Sequence, residues 1–147
     1  MASNRRLPRV KHADRPRPDE TVLKSSGADL QNGWLSRHGT LSVTDERLLF
    51  VPTVLDHILQ AKRREIPLGE VTEIERYPIS PDDLPHGGRR PRMLIHTDRC
   101  IYEFMVGDMD AWIDALELVY KRRAREDGDD YMPKVTREGY VNLLLGD

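Results

Sequence analysis

The 147-residue sequence predicts one mainly β domain that ends in a C-terminal α-helix. Three observations support this fold class. Short apolar or alternating segments, separated by turn residues, recur between residues 20 and 106 and suggest about seven strands. One amphipathic helix follows them. The chain is long enough for a single hydrophobic core, and this order of elements favours a partly open barrel whose end is closed by the helix.

The first half of the barrel is predicted from three segments. Residues 20–30 and 37–44 are strands, because in the second of them Leu41 and Val43 alternate with hydroxyl-bearing residues, as in a half-buried strand. A turn at residues 45–46 leads into residues 47–51, which are apolar on both faces. This segment stops at a proline, which cannot donate to a sheet, so we expect it to be a central strand.

The second half contains one ambiguous segment. Residues 54–64 have apolar side chains at helical spacing, and they could form a short helix or a loop that leads into a strand over 61–68. Residues 71–77 are predicted as a strand. Residues 78–91, with four prolines and two glycines, indicate a long loop. A hairpin over 93–106 should follow, turning at Asp98 and Arg99, with Cys100 buried in its second strand.

The helix is predicted from apolar residues that recur at spacings of three and four and so form one stripe. We expect the carboxylate of Asp108 to cap the first turn. Cationic residues over 121–125 suit the negative end of the helix dipole, and Gly128 is a suitable stop. The stripe consists of Met109, Trp112, Ile113, Leu116, Val119 and Tyr120.

Charge divides the chain into three parts. The formal net charge of −2 is partly a cancellation between unlike ends. Residues 1–19 form a basic, proline-rich arm that we expect to be disordered, residues 20–126 form the domain, and residues 127–147 form an acidic linker and an apolar tail. Because the total is near neutral and the arm has no aromatic residues for base stacking, we do not expect a nucleic-acid partner.

Several classes of protein are disfavoured. The single cysteine excludes a disulfide framework and a multi-cysteine zinc site. No apolar run is long enough to span a membrane, and residues 1–18 lack the apolar region of a secretion signal, so we expect a cytoplasmic protein. Serine-hydrolase, P-loop and dinucleotide motifs are absent. Residues 96–100, with His96 and Cys100, leave a metal site or an activated thiol as an alternative, but we expect no enzyme activity, metal or cofactor.

Two separated motifs point to a family. The first is Gly-x-Leu-x-Val-Thr-x-x-Arg-Leu-x-Phe over residues 39–50, and the second is Ile-Pro-Leu-x-x-Val-x-x-Ile over residues 66–74. Residues 94–97, residues 102–104 and a tryptophan-bearing helix follow in order. Across residues 20–125 the chain resembles the GRAM domain of the pleckstrin-homology-like (PH-like) superfamily. The resemblance implies a PH-like partly open barrel and a non-catalytic module that binds membrane lipids or proteins.

The resemblance also implies where an anionic lipid would bind. Lipid-binding members of the wider superfamily hold phosphoinositides with basic residues around the loop between the first two strands, where this chain offers few cations for a phosphate. Further basic clusters lie at residues 62–64 and in the long loop, where two glycines accompany guanidinium groups that suit phosphate or carboxylate. Peripheral binding to an anionic membrane, assisted by the basic arm, is therefore the alternative function. The candidate anion or lipid ligands are Lys24, Arg37, Arg89, Arg90 and Arg92.

The C-terminal tail points to a protein partner. After the acidic residues 129–130, the tail is too apolar to remain solvated. It either folds back on its own barrel or docks on another chain, a second copy included, as an amphipathic element or an added strand. We expect an adaptor that binds a protein through this tail and the exposed barrel edge. The candidate partner-binding residues are Tyr131, Met132, Val135, Tyr140, Val141, Leu143 and Leu144.

Overall fold

The structure, a computed structural model, describes residues 16–32, 35–53, 63–77 and 91–137. Within these ranges the chain forms eight β-strands and one α-helix, and a 3₁₀ turn at Leu68–Glu70 leads into the fifth strand. The elements are β1 Val22–Asn32, β2 Leu35–Thr44, β3 Arg47–Pro52, β4 Arg64–Pro67, β5 Val71–Tyr77, β6 Arg92–Thr97, β7 Ile101–Val106, α1 Met109–Asp127 and β8 Lys134–Thr136.

The strands form one sheet in the order β4-β3-β2-β1-β7-β6-β5-β8. Each described pair is antiparallel except β5 and β8, which run parallel. The sheet forms a partly open, PH-like barrel capped by α1, which confirms the predicted fold class. It has one strand more than expected, because three residues of the C-terminal segment add β8 to the edge of β5.

The core lies between the sheet and α1. The stripe predicted for the helix is confirmed, since all six of its side chains are buried, and Trp112 is completely enclosed. Strand β3 lies between β2 and β4 and is almost wholly buried, as expected for a central strand. Burial of this many apolar side chains, each stabilising by roughly 1.5–3 kcal/mol, holds α1 against the barrel. The sheet contributes Leu41, Val43, Ile66, Ile74, Met93, Ile95 and Phe104 to the same cluster.

Two local predictions are wrong and one is confirmed. Asp108 precedes α1, but its side chain makes no capping hydrogen bond. Cys100 is exposed rather than buried, because β7 begins one residue later and Cys100 belongs to the turn, where its carbonyl accepts from the amide of Thr97. Gly128, with φ of 71°, ends the helix as predicted, and its N–H bonds the carbonyl of Arg123. Residues 54–62, predicted as a short helix or a loop, lie outside the described residues. So do residues 78–90, which belong to the predicted long loop.

Candidate functional site

A cleft opens at one end of the barrel, where β1 ends and β4 and β7 begin. Its volume is about 290 Å³. Strand β1 pairs antiparallel with both β2 and β7, so the start of each of those strands lies at this same end. One lining residue, Ile101 on β7, is an exposed apolar side chain (56 %), and Leu35, which begins β2 at the same barrel end, is also exposed (45 %). The residues that line the cleft are Leu30, Gln31, Arg64, Cys100, Ile101 and Tyr102.

The polar groups of the cleft suit an anion. Arg64 supplies a permanent positive charge. A hydrogen bond with Cys100, followed by burial, raises the pKa of Tyr102, which keeps its hydroxyl protonated. Arg37 is the register partner of Leu30 in the wall of the cleft. Among the residues that line the cleft, Arg64 therefore supplies the fixed positive charge, and it lies in the same lining as the exposed Ile101.

The structure separates the predicted anion ligands. Lys24 lies on β1, and Arg37 lies on β2 opposite Leu30 of β1. Lys24 and Leu30 are six residues apart, so at about 3.3 Å per residue the positions of Lys24 and Arg37 are separated by roughly 20 Å along the strands. Lys24 and Arg37 therefore cannot share one phosphate. The ammonium of Lys24 instead lies 5.6 Å from the centre of the Trp112 ring, a cation–π contact that supports packing of α1.

The predicted ligands Arg89, Arg90 and Arg92 do not form one surface cluster within the described part of the chain. Arg92 was expected in the long loop, but it begins β6 with its side chain only 2 % exposed and its Nε 2.5 Å from a carboxylate oxygen of Glu103. Its assignment as a surface ligand is thus wrong, because a buried and paired guanidinium does not meet a surface anion. Arg89 and Arg90 lie outside the described residues. No local sequence pattern singles out Arg64, because its place in the cleft depends on strands that are distant in sequence.

The C-terminal segment 129–137, which we call the strap, folds back on the barrel. Its first residue, Asp129, accepts from the Tyr131 amide at 3.2 Å and from Arg123 at 2.9 Å. These two interactions lower the pKa of Asp129. The hydroxyl of Tyr131 donates to the carbonyl oxygen of Val71 at 2.6 Å, and its ring meets Tyr120 edge-on.

The second half of the strap adds a strand to β5. Val135 pairs with Ile74 and packs against the core. The Thr136 hydroxyl donates to Glu73 at 2.8 Å, and Arg137 bonds Asp114 at 2.8 Å. Arg137 also bonds Glu117, so the pKa of its guanidinium is raised by two carboxylates.

Three of the predicted partner-binding residues fall within the described part of the chain, and they differ in exposure. Val135 packs internally, whereas Tyr131 and Met132 each remain 42 % exposed. The tail thus begins by folding back on its own barrel, one of the two alternatives expected. Tyr140, Val141, Leu143 and Leu144 lie outside the described residues.

One group on the outer face of β5 and β6 has the atoms of a cation site. Carboxylate oxygens of Glu73 and Glu75 and a ring nitrogen of His96 lie within 4.8 Å of one another. The His96 ring is 2.9 Å from Glu75, and Glu73 accepts from Thr136. These bonds already occupy the carboxylates, so the geometry is accounted for by the strap and the sheet.

Comparison with known proteins supports the fold. No protein-family model matches the sequence, and no significant match to a curated protein was found. A domain described as the C-terminal domain of an unknown protein from Leishmania infantum matches with a TM-score of 0.58 and 19 % identity, over 77 % of this chain and 96 % of that one. Within the described parts of the chain, no helix is long and apolar enough to cross a membrane.

Two further solved structures match. The Vps36 N-terminal PH domain has a TM-score of 0.55 and 12 % identity, over 75 % of this chain and 86 % of that one. The hSac2 domain from human phosphoinositide phosphatase Sac2 has a TM-score of 0.54 and 10 % identity, over 93 % and 90 %. At such identities the likeness concerns the fold, which is PH-like.

Proposed function

We propose that this chain is a non-catalytic GRAM/PH-like interaction module, an adaptor that binds a protein partner through its C-terminal tail. The observation that carries the proposal is the addition of β8 to the edge of β5. The edge of β5 pairs with an extended segment of the tail, in which Val135 lies opposite Ile74 and packs against the core. Strand addition is a common way for a domain to bind an extended segment, with backbone bonds giving affinity and alternate side chains giving specificity.

The exposed strap residues support a partner at this position. Tyr131 and Met132 are large apolar side chains, and such residues are enriched at the buried centres of protein interfaces. Beyond the strap, the sequence at Tyr140, Val141, Leu143 and Leu144 is apolar enough to need cover. A partner that covers these residues would extend the surface that begins at Tyr131.

The arrangement of polar groups favours binding over catalysis. His96 bonds Glu75, and the thiol of Cys100 bonds Tyr102. A thiol nucleophile requires a base within hydrogen-bond reach, and these two bonds direct His96 and Cys100 to different partners. The proposal therefore includes no chemical step.

A quantitative affinity purification tests the proposal. The full chain is compared with the double variant Val141→Asp with Leu144→Asp, and with Leu118→Asp as a matched control, since Leu118 is an exposed apolar residue of α1 (50 %). We expect the double variant to lose the partner and the control to keep it, with unfolding of both variants unchanged. Equal recovery from all three proteins would refute a role for the tail.

A second candidate, peripheral binding to an anionic membrane, is supported by the cleft. Arg37 and Arg64 lie at the same barrel end as the exposed Leu35 and Ile101. Cations beside apolar side chains suit an interface of headgroups and acyl chains. Flotation with phosphatidylserine vesicles tests this: Arg37→Glu with Arg64→Glu should abolish salt-sensitive binding, whereas Lys121→Glu with Arg125→Glu, exposed cations of α1, should not. Absence of binding by the unmodified chain at low ionic strength would exclude this candidate.

A further inference from the structure

A groove of about 300 Å³ opens where β1 and β7 lie side by side, and it shares no lining residue with the cleft. Ala28 on β1 and Val106 on β7 are register partners, and both side chains pack on the core. Because side chains alternate along a strand, the neighbouring Gly27 and Gly107 border the opposite, outer face of the sheet. These two glycines, which have no side chains, form the floor of the groove.

The backbone does not require either glycine. Among the described glycines, the positive φ occurs at Gly128 and not at these two positions. A Cβ built at Gly27 or at Gly107 would meet no atom within 4 Å, so no close neighbour demands a small residue there. A glycine inside a strand weakens it and often marks a place where a ligand or another chain approaches closely. Gly27 therefore weakens β1 and leaves open space above the sheet.

The wall of the groove combines an apolar side chain with one charged acceptor. Met105 and Asp29 are register partners on β7 and β1, and both line the groove. The thioether of Met105 is 7 % exposed, and sulfur makes favourable contacts with the edges of aromatic rings. A ring nitrogen of His38 bonds Oδ1 of Asp29, and no other described residue bonds this carboxylate. A carboxylate accepts several hydrogen bonds, so Oδ2 can accept from a ligand.

We propose that this groove binds a tyrosine side chain of a protein partner. The ring lies on the glycine floor with its edge against the Met105 sulfur, and the phenol O–H donates to Asp29. Tyrosine suits such a site because it has a flat apolar body and a hydroxyl that needs a partner when it is buried. The volume is at the lower end of the range for ligand pockets, so the groove suits one side chain better than a cofactor.

The groove and the strap can be occupied at the same time. Strands β7, β6 and β5 lie between β1 and β8 in the sheet. A partner that engages the groove therefore does not compete with one that binds the tail. This inference goes beyond the proposed function and holds whether or not the tail recruits a protein.

An NMR titration of the isotopically labelled full-length chain tests the inference. The probes are N-acetyltyrosinamide and N-acetylphenylalaninamide, which differ only in the hydroxyl group. At millimolar concentration the tyrosine probe should shift the amide resonances of Gly27 and Gly107 and the methyl resonance of Met105. The phenylalanine probe should bind about tenfold more weakly, because it cannot donate to the carboxylate. Asp29→Leu, which is similar in shape, should remove this difference.

Filling the groove supplies the second arm of the test. Gly27→Val should abolish binding and leave the chain at least as stable in thermal unfolding, because the added atoms enter open space and valine favours strands. Gly69→Val is the matched control, since a Cβ at Gly69 also meets no atom within 4 Å and Gly69 does not line the groove. Gly107→Ala fills the same floor from β7 and should also weaken binding.

Three results would each overturn the inference. They are an absence of shifts at the groove with the tyrosine probe, equal binding by Gly27→Val and the unmodified chain, and tighter binding of N-acetyllysinamide than of N-acetyltyrosinamide. Each measurement uses this chain and a small probe alone. A failure here is therefore distinct from a failure of the tail to recover a partner.

Discussion

The hydroxyl of Tyr131 donates a hydrogen bond to the carbonyl oxygen of Val71, 2.6 Å away, at the residue where β5 begins. The Tyr131 ring also meets Tyr120, whose own hydroxyl bonds the carbonyl of Leu68 at 2.6 Å. Burial and then the neighbouring Tyr131 raise the pKa of Tyr120, so its hydroxyl stays a donor. Two tyrosines thus join α1 and the strap to the segment that leads into β5, and the strap covers an edge that would otherwise be open to foreign strands.

Removal of the Tyr131 hydroxyl tests this attachment. Tyr131→Phe should lower the free energy of unfolding by about 1 kcal/mol, the net value of one hydrogen bond. Urea unfolding measures the change, and Met132→Ala, an exposed neighbour, should differ little from the unmodified chain. If the phenylalanine variant is as stable as the original, the hydrogen bond does not hold the strap.

Glu20 should make the stability depend on pH. Burial opposes its ionisation, but hydrogen bonds from Arg47, from the amide of Arg17 and from Thr44 lower its pKa from 4.5 to about 2. A lowered folded-state pKa stabilises the protein above the unfolded value, and this contribution is lost as the pH falls through 4.5 towards 2. The loss is roughly 3 kcal/mol.

The variant Glu20→Gln isolates that contribution. At pH 7 it should be less stable by about 3 kcal/mol, because the buried Arg47 loses its main counter-charge. Near pH 2 the two proteins should converge. Urea unfolding at pH 7, 4, 3 and 2 measures both curves, and a constant difference between them over this range would show that Glu20 is not the titrating group.

Gly39, the first residue of the Gly-x-Leu-x-Val-Thr motif, has a packing role. A methyl group at this position would lie against the carbonyl of Val51 and 2.7 Å from the Phe50 ring. Neither the backbone of β3 nor a core ring can move aside freely. Gly39→Ala should therefore destabilise the domain by about 1–3 kcal/mol, whereas Gly27→Ala, where a methyl group meets no atom within 4 Å, serves as the control in thermal unfolding. Equal losses at both positions would contradict this explanation.

Lys24 should behave as a structural residue and not as a lipid ligand. Its ammonium lies over Trp112, whose indole N–H donates to the Ser26 hydroxyl at 2.9 Å. Lys24→Met should lower the free energy of unfolding by about 0.5–1 kcal/mol, as expected for a cation–π contact at a solvent-accessible site. Binding to phosphatidylserine vesicles should not change. Reduced vesicle binding with unchanged stability would reverse the assignment.

Local patterns were enough to predict much of the fold. The α1 stripe and the Gly128 stop follow from helical spacing and from backbone freedom at one residue, both of which act over a few neighbours. The central position of β3 follows from its apolar faces. Boundaries were less accurate, as for Cys100, because one residue decides whether a side chain belongs to a turn or to a strand.

The candidate site depends on neighbours that are distant in sequence. Arg64 and Tyr102 share a cleft because β4 and β7 begin at the same barrel end. Arg92 is buried because it lies beside Glu103 on the next strand. Strand β8 was missed because three residues carry too little periodicity to predict a strand, and its pairing is set by contacts with β5. Predicting these contacts requires knowing which residues of neighbouring strands pair with each other, and no local pattern in the sequence specifies that register.

The most direct test of the central claim, that the tail recruits a protein, is photo-crosslinking in cells that express the chain natively. A benzoylphenylalanine is placed at Met132 on the strap and, in a separate protein, at Leu35, at the barrel end where the cleft opens; both residues are exposed. We expect a discrete crosslinked protein at residue 132 that is lost in the Val141→Asp, Leu144→Asp variant, and no such product at residue 35. No protein crosslink at residue 132, together with lipid adducts at residue 35, would contradict it.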